Sequence, residues 1–208
     1  MFVVINPGHV YLGKGNINNT PGKCSPDGKI IEALWNKEVA HMVSDKLTSI
    51  GIDNFVAVAE SESQSLKYPV RVCNDYCGKL GPNNVLFVSI HVNASGNGSW
   101  MQASGWSVYT TKGKTKSDDL AECFYDVAKK VFLGRKIRCD YSDGDSDYES
   151  DFYVIKNTRC PSVLIENFFM DNKSDCEFLQ TRGCKLKCAQ VIVEGIHKYI
   201  KDYESSKA

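Results

Sequence analysis

The chain has 208 residues, 42% hydrophobic and 24% charged, which is the composition of a globular domain large enough to bury one substantial core. Its 25 basic side chains balance 25 acidic ones, so it lacks the electrostatic footprint of a nucleic-acid binder or of a protein drawn to an anionic membrane. No apolar run approaches the length of a membrane span, so membrane insertion is not expected.

In chain order, the apolar run Phe2-Val3-Val4-Ile5 reads as a buried strand that breaks at Asn6-Pro7-Gly8 and runs into His9. This N-terminus lacks the basic segment and long apolar core of a secretory signal, and residence in the cytoplasm as synthesised is the expectation. Tyr11 to Lys29 is rich in Gly, Asn and Pro and reads as a long loop bordering a site. A helix follows from about Ile30 to Ile50, with Ile31, Leu34, Trp35, Val39, Met42, Val43 and Ile50 as its apolar stripe. Phe55 to Val58 reads as a strand, and Leu66 to Leu80 as a helix stopped by Gly81-Pro82.

The run Val85-Leu86-Phe87-Val88-Ser89-Ile90 is a second buried strand leading into His91, Val92, Asn93 and Ala94. A short strand is expected at Trp106 to Tyr109. A helix is expected to start at Ser117-Asp118-Asp119, with the hydroxyl as cap and two acids at its positive end. After an acidic loop come a strand near Phe152 to Ile155 and a third buried strand, Ser162 to Asn167, carrying Glu166. A short helix near Ser174 to Leu179 follows. A last helix, about Cys184 to Tyr203, is expected to bury Leu186, Ala189, Ile192, Val193, Ile196 and Ile200. This alternation predicts a single α/β domain over residues 1–203, with a mostly parallel, mixed, twisted sheet of about six strands flanked by helices on both faces. Residues 204–208 read as a frayed tail.

In such a sheet, polar groups just past the strand ends gather in the crevice where ligands bind. Catalytic zinc needs three protein ligands and an open position for water. His9 and His91 are natural nitrogen ligands, and Glu32, in the first turn of the long helix, is placed to supply an oxygen. Glu166 would then take the water's proton and deliver it to a leaving nitrogen. A single histidine after a strand is more often a satisfied turn residue; two of them plus a glutamate shift the balance. His41 and His197 lie within amphipathic helices and read as packing or surface residues.

These residues resemble a known family. Asn6-Pro7-Gly8-His9, Glu32 followed by Asn36, Ser89-Ile90-His91-Val92-Asn93-Ala94 and Val163-Leu164-Ile165-Glu166-Asn167-Phe168-Phe169 together resemble the zinc-dependent N-acetylmuramoyl-L-alanine amidases of the amidase-3 group. Arg71 and Asn172 also fall where that group usually has Arg and Asn, and the likeness runs from Val3 to about Ile200. The resemblance implies hydrolysis of the amide between the lactyl group of N-acetylmuramic acid and the L-alanine of the peptidoglycan stem. It implies one Zn²⁺ per chain on His9, Glu32 and His91, Glu166 as catalytic acid–base, and peptidoglycan or a muropeptide as substrate. Two rival readings are a non-catalytic peptidoglycan-binding or regulatory module of the same fold, and a zinc hydrolase acting on another amide.

The chain departs from the common pattern of that group. Asn6 stands where Asp is usual, so any structural role of that Asp falls to Asn, and Asn167 replaces a Gly beside the catalytic carboxylate. Asn93, Asn167 and Trp100 are the candidate substrate contacts. Trp106 reads as core, and Tyr109 and Tyr141 offer further stacking faces.

Two other signals carry less. Asp143, Asp145 and Asp147 have the spacing that starts a calcium loop, but Tyr148 occupies the expected glycine position and Val154 that of the closing glutamate, so a solvated loop is the expectation. The nine cysteines include Cys73/Cys77 and Cys184/Cys188 at helical i,i+4 spacing rather than as CxxC pairs, and they read as free, mostly buried thiols made in a reducing compartment.

Overall fold

The computed structural model describes residues 1–205. Six strands form one sheet: β1 Phe2–Pro7, β2 Asn54–Val56, β3 Val85–Asn93, β4 Ser107–Thr110, β5 Tyr148–Glu149 and β6 Ser162–Phe169. Their order is β2-β1-β3-β6-β4-β5, parallel throughout except that β4 runs antiparallel to β6. The helices are α1 Glu32–Ser49, α2 Lys67–Leu80, α3 Lys116–Val131, α4 Tyr153–Lys156, α5 Lys173–Leu179 and α6 Arg182–Ser205.

β1, β3 and β6 read as continuous apolar runs because both of their faces are covered, as parallel strands require. Val3, Ile5, Leu86, Val88, Val163 and Ile165 face a core shared with α1, α3 and α6. Val4, Phe87 and Leu164 alternate to the other face, where Val70 of α2 and Val154 and Ile155 of α4 meet them. That second layer covers only the first half of the strands. At the strand ends it leaves a crevice.

Several expectations change. Phe152 to Ile155 is not a strand: Tyr153–Lys156 forms one helical turn, and the edge strand is β5 at Tyr148–Glu149. Val154 and Ile155 are both buried in the same cluster, which neighbours on a strand cannot achieve because they point to opposite faces. The cap of α3 is Thr115 rather than Ser117. Its side chain accepts from Ser117 N, and the Asp118 carboxylate accepts from Thr115 N, completing a capping box. Ser117 is instead buried and accepts a hydrogen bond from Ser162 N at 3.0 Å, tying α3 to β6.

Leu186 is 42% exposed, since it lies about 200° around α6 from Cys184, off the stripe that Cys188, Ile192 and Ile196 continue. Leu34 and Ile50 of the expected α1 stripe are likewise exposed. The last helix continues through Ser205, beyond the expected end at Tyr203; the rest of the expected frayed tail, 206–208, lies outside the described residues. Among the described residues no helix is long and apolar enough to cross a membrane.

Candidate metal centre

Strand alternation builds this site. On the face carrying Val4, Phe87 and Leu164, the next positions toward the strand ends are Asn6 on β1, Ser89 and His91 on β3, and Glu166 on β6. His91 and Glu166 are direct register partners across the β3–β6 pair. Glu32 arrives from the first turn of α1, almost wholly buried, and His9 from the turn after β1.

The sequence explains why His9 and His91 can meet. Gly8 lies against the His91 imidazole so closely that a Cβ there would stand 2.0 Å from Cε1. Only glycine permits that approach. Asn36, one turn along α1 from Glu32, donates from Nδ2 to the Gly8 carbonyl at 3.1 Å and fixes the turn. His9 itself holds φ +66°, an uncommon left-handed conformation for a non-glycine residue, and Phe168, two residues past Glu166, does the same at +64°.

The two Glu32 carboxylate oxygens divide their contacts. Oε2 lies 3.3 Å from His9 Nε2, and Oε1 lies 3.1 Å from His91 Nδ1 while accepting from Val92 N at 3.1 Å. The imidazoles meet edge to face with centroids 4.9 Å apart. Burial alone would raise the Glu32 pKa, but hydrogen bonds from His9 and His91 and their charges override it and hold the carboxyl well below the usual range. Burial pushes the His91 pKa down, partly offset by the hydrogen bond and charge of Glu32, a shift in the direction a metal ligand requires.

Glu166 behaves oppositely. Burial, reinforced by the negative charge of Glu32, raises its pKa well above the ordinary carboxylate value, with Lys23 and Arg138 opposing. Its Oε2 is buried without a hydrogen-bond partner among the described residues. Both carboxylates are thus pushed apart in protonation within one crevice, the pattern of an acid–base site.

One nitrogen from each histidine and one oxygen from Glu32 lie within 4.8 Å of one another, close enough for a single cation. The donor set, two imidazoles and one carboxylate, matches that of hydrolytic zinc sites and leaves a coordination position open. A cavity of about 410 Å³ opens onto His9, His91 and Glu166 and is lined also by Lys23, Glu62 and, at the start of α4, Phe152, Tyr153 and Val154.

The structure therefore brings His9, Glu32, His91 and Glu166 together. It does not bring the three candidate substrate contacts there. Asn167 follows Glu166 on the strand and so points to the other face; it is fully buried and donates from Nδ2 to His91 O at 3.0 Å, bracing β3 against β6. Trp100 is 37% exposed in the loop after β3 and, like Asn93, does not line the cavity. Trp106 is core, packed edge to face on Tyr125. His41 and His197 are exposed helix residues.

Asn6 takes up the structural role expected of it in place of Asp, and residues without a sequence signal complete the site. Ser89 donates to Asn6 Oδ1 at 2.8 Å and its Oγ lies 3.2 Å from His91 Nε2, so Asn6 acts on the histidine through Ser89. Thr20 and Lys23 enter from the loop after β1 and Glu62, hydrogen-bonded to Thr20, from a single 3-10 turn, segments too short or irregular for any periodicity to reveal them. The acidic loop is only partly solvated: Asp147 is buried, accepting from Thr110 Oγ1 at 2.5 Å, and none of its acids lines the cavity.

Fold and site together define a class: an α/β domain with a two-histidine, one-carboxylate metal set at its strand ends and a second carboxylate beside it. The chain belongs to the Amidase_3 family, whose model, described as N-acetylmuramoyl-L-alanine amidase, matches residues 3–198. The uncharacterized protein YqiI of Bacillus subtilis (strain 168) is 32% identical over 198 residues, covering 95% of this chain and 84% of YqiI. The N-acetylmuramoyl-L-alanine amidase LytC of the same organism is 28% identical over 202 residues, covering 96% of this chain and 35% of LytC. An N-acetylmuramoyl-L-alanine amidase from Clostridium difficile 630 superposes with a TM-score of 0.76 at 24% identity, with 96% of each chain covered, a likeness of fold.

Proposed function

We propose that the chain hydrolyses the amide joining the lactyl group of N-acetylmuramic acid to the L-alanine of the peptidoglycan stem, with Zn²⁺ held by His9, Glu32 and His91. The observation that carries this is the convergence of those three donors within 4.8 Å of one another beside a buried carboxylate oxygen of Glu166 that has no partner among the described residues. Zinc, when bound, polarises the scissile carbonyl and brings the pKa of a water to about 7.

The protein's own groups do the rest. Glu32, anionic and gripped by both imidazoles, keeps them aimed at one point. Glu166, with its raised pKa, can accept a proton from the attacking water at Oε2 and return it to the nitrogen of the departing alanine. Lys23 opposes the protonation of Glu166 and supplies a positive charge at the cavity wall. Leu66, Val154 and Leu164 add apolar side chains to the cavity lining.

Purified protein with zinc should release stem peptides bearing a free L-alanine amine from peptidoglycan, identified by product mass, and chelation should stop it. Glu166→Ala should keep zinc and lose the reaction. Products cut within the stem instead would transfer the site to another amide, and a folded, zinc-loaded wild type that releases nothing would leave a peptidoglycan-binding module.

A further inference from the structure

A second cluster of metal-ligating side chains lies on the α2 side of the sheet, away from the crevice. Cys73 and Cys77 sit one turn apart on α2, and Cys160 lies two residues before β6. All three are buried, and their Sγ atoms lie within 4.8 Å of one another, Cys73 and Cys160 at 3.3 Å. We propose that Cys73, Cys77 and Cys160 form a tris-thiolate site for a soft divalent cation of the zinc–cadmium class, separate from the His9–Glu32–His91 centre.

The geometry is close to what such an ion requires. A Zn–S bond of about 2.3 Å sets sulfurs about 3.8 Å apart in a tetrahedral site, so closing the cluster needs only small rotamer shifts. The elements that carry the thiols are already fixed to each other. Asn74 of α2 donates from Nδ2 to Asn157 O at 2.8 Å and accepts from Arg159 N at 2.9 Å. The Arg159 guanidinium, bonded to the Asn74 carbonyl, acts electrostatically on Cys77.

Charge also fits. Binding would release three thiol protons to solvent, and three thiolates around a divalent ion leave one negative charge, which Arg159 balances. Thiolates select soft ions over magnesium or calcium. The other helical pair makes the contrast: Cys184 and Cys188 on α6 lie 3.8 Å apart, equally buried, but no third thiol joins them within the same reach among the described residues. An i,i+4 pair alone is core packing; the third thiol and the arginine make the difference.

The test is titration of the full, reduced chain with Cd²⁺, read by the ultraviolet thiolate-to-cadmium charge-transfer band, which imidazole and carboxylate ligands do not produce. The expected result is a band that saturates within two equivalents and survives both His9→Ala and Cys184→Ser/Cys188→Ser. It should be lost in Cys160→Ser and in Cys73→Ala, the second variant guarding against misfolding of the first, with far-ultraviolet circular dichroism as the check. No band in the wild-type protein would overturn the proposal whatever the variants do. So would a band that disappears with Cys24→Ser, the exposed thiol, or one retained at full amplitude in a folded Cys160→Ser protein.

Discussion

Gly8→Ala isolates a single geometric demand of the metal centre. The glycine is not in the left-handed region, so alanine's backbone costs little, and the whole effect is the added methyl. That carbon would stand 2.0 Å from His91 Cε1, 2.3 Å from Nε2 and 2.6 Å from Nδ1, where ordinary contacts begin at 3.4 Å. The ring must retreat by more than about 1 Å, well beyond the roughly 0.2 Å tolerance of a metal–ligand bond. A displacement of that size costs on the order of 100-fold in rate, about 2.7 kcal/mol of transition-state stabilisation. Zinc affinity, measured by competition with a chromophoric chelator, should fall at least about tenfold. Two other glycines calibrate the result. Gly195→Ala drives a methyl to 2.2 Å from Phe124 Cδ1 in the core and should lower stability by about 1–3 kcal/mol without touching zinc affinity. Gly183→Ala meets nothing nearer than Thr181 Oγ1 at 3.9 Å and should do neither. If Gly8→Ala bound zinc and turned over like the wild type, the claim that this approach sets the position of His91 would be refuted.

Ser89→Ala removes the hydroxyl between Asn6 and His91 Nε2 and should weaken zinc binding by about 10- to 100-fold in the same competition assay, and by orphaning the buried Asn6 Oδ1 should also cost about 1–3 kcal/mol of stability. Asp147 is an acid whose folded pKa is raised from 3.8 to about 7, first by burial and then by Asp145 and Asp118, so its contribution to stability is present below about pH 4 and is lost as pH rises through 7. Asp147→Asn should therefore raise the melting temperature at pH 8, by an amount worth up to a few kcal/mol, and leave it unchanged at pH 4; a pH-independent offset would contradict the assignment. Thr115→Ala removes the α3 cap and should cost about 1 kcal/mol in urea unfolding.

What could be read from the chain, and what could not, follows from the range of the interactions concerned. His9, His91 and Glu166 were legible because each follows or ends a buried apolar run, and parallel strands deliver their ends to one crevice. Glu32 was legible because a helix start faces the same end. Asn167 was misplaced through sequence adjacency: one step along a strand reverses the face, so the neighbour of a site residue is its structural brace. Tyr153-Val154-Ile155 has strand composition, and only the demand that Val154 and Ile155 bury on one side turns it into a helix. Lys23 and Thr20 come from a loop and Glu62 from a single 3-10 turn, whose paths depend on one another rather than on any local period. Cys160 joins Cys73 across 87 residues, a pairing fixed by the strand order and invisible without it.

Glu32 and Glu166 show how one fold divides a single chemistry between identical side chains. Glu32 has two imidazole partners and a backbone N–H, so its ionised form is solvated by the protein itself and persists although buried. Among the described residues Glu166 has no such donor at Oε2, and it faces the Glu32 charge, so its ionised form bears both desolvation and repulsion. A cation held by His9, Glu32 and His91 would cancel that repulsion and draw the Glu166 pKa back downward, favouring the ionised form that takes a proton. On this argument the metal set does more than hold an ion: its charge decides whether the second carboxylate is available as a base.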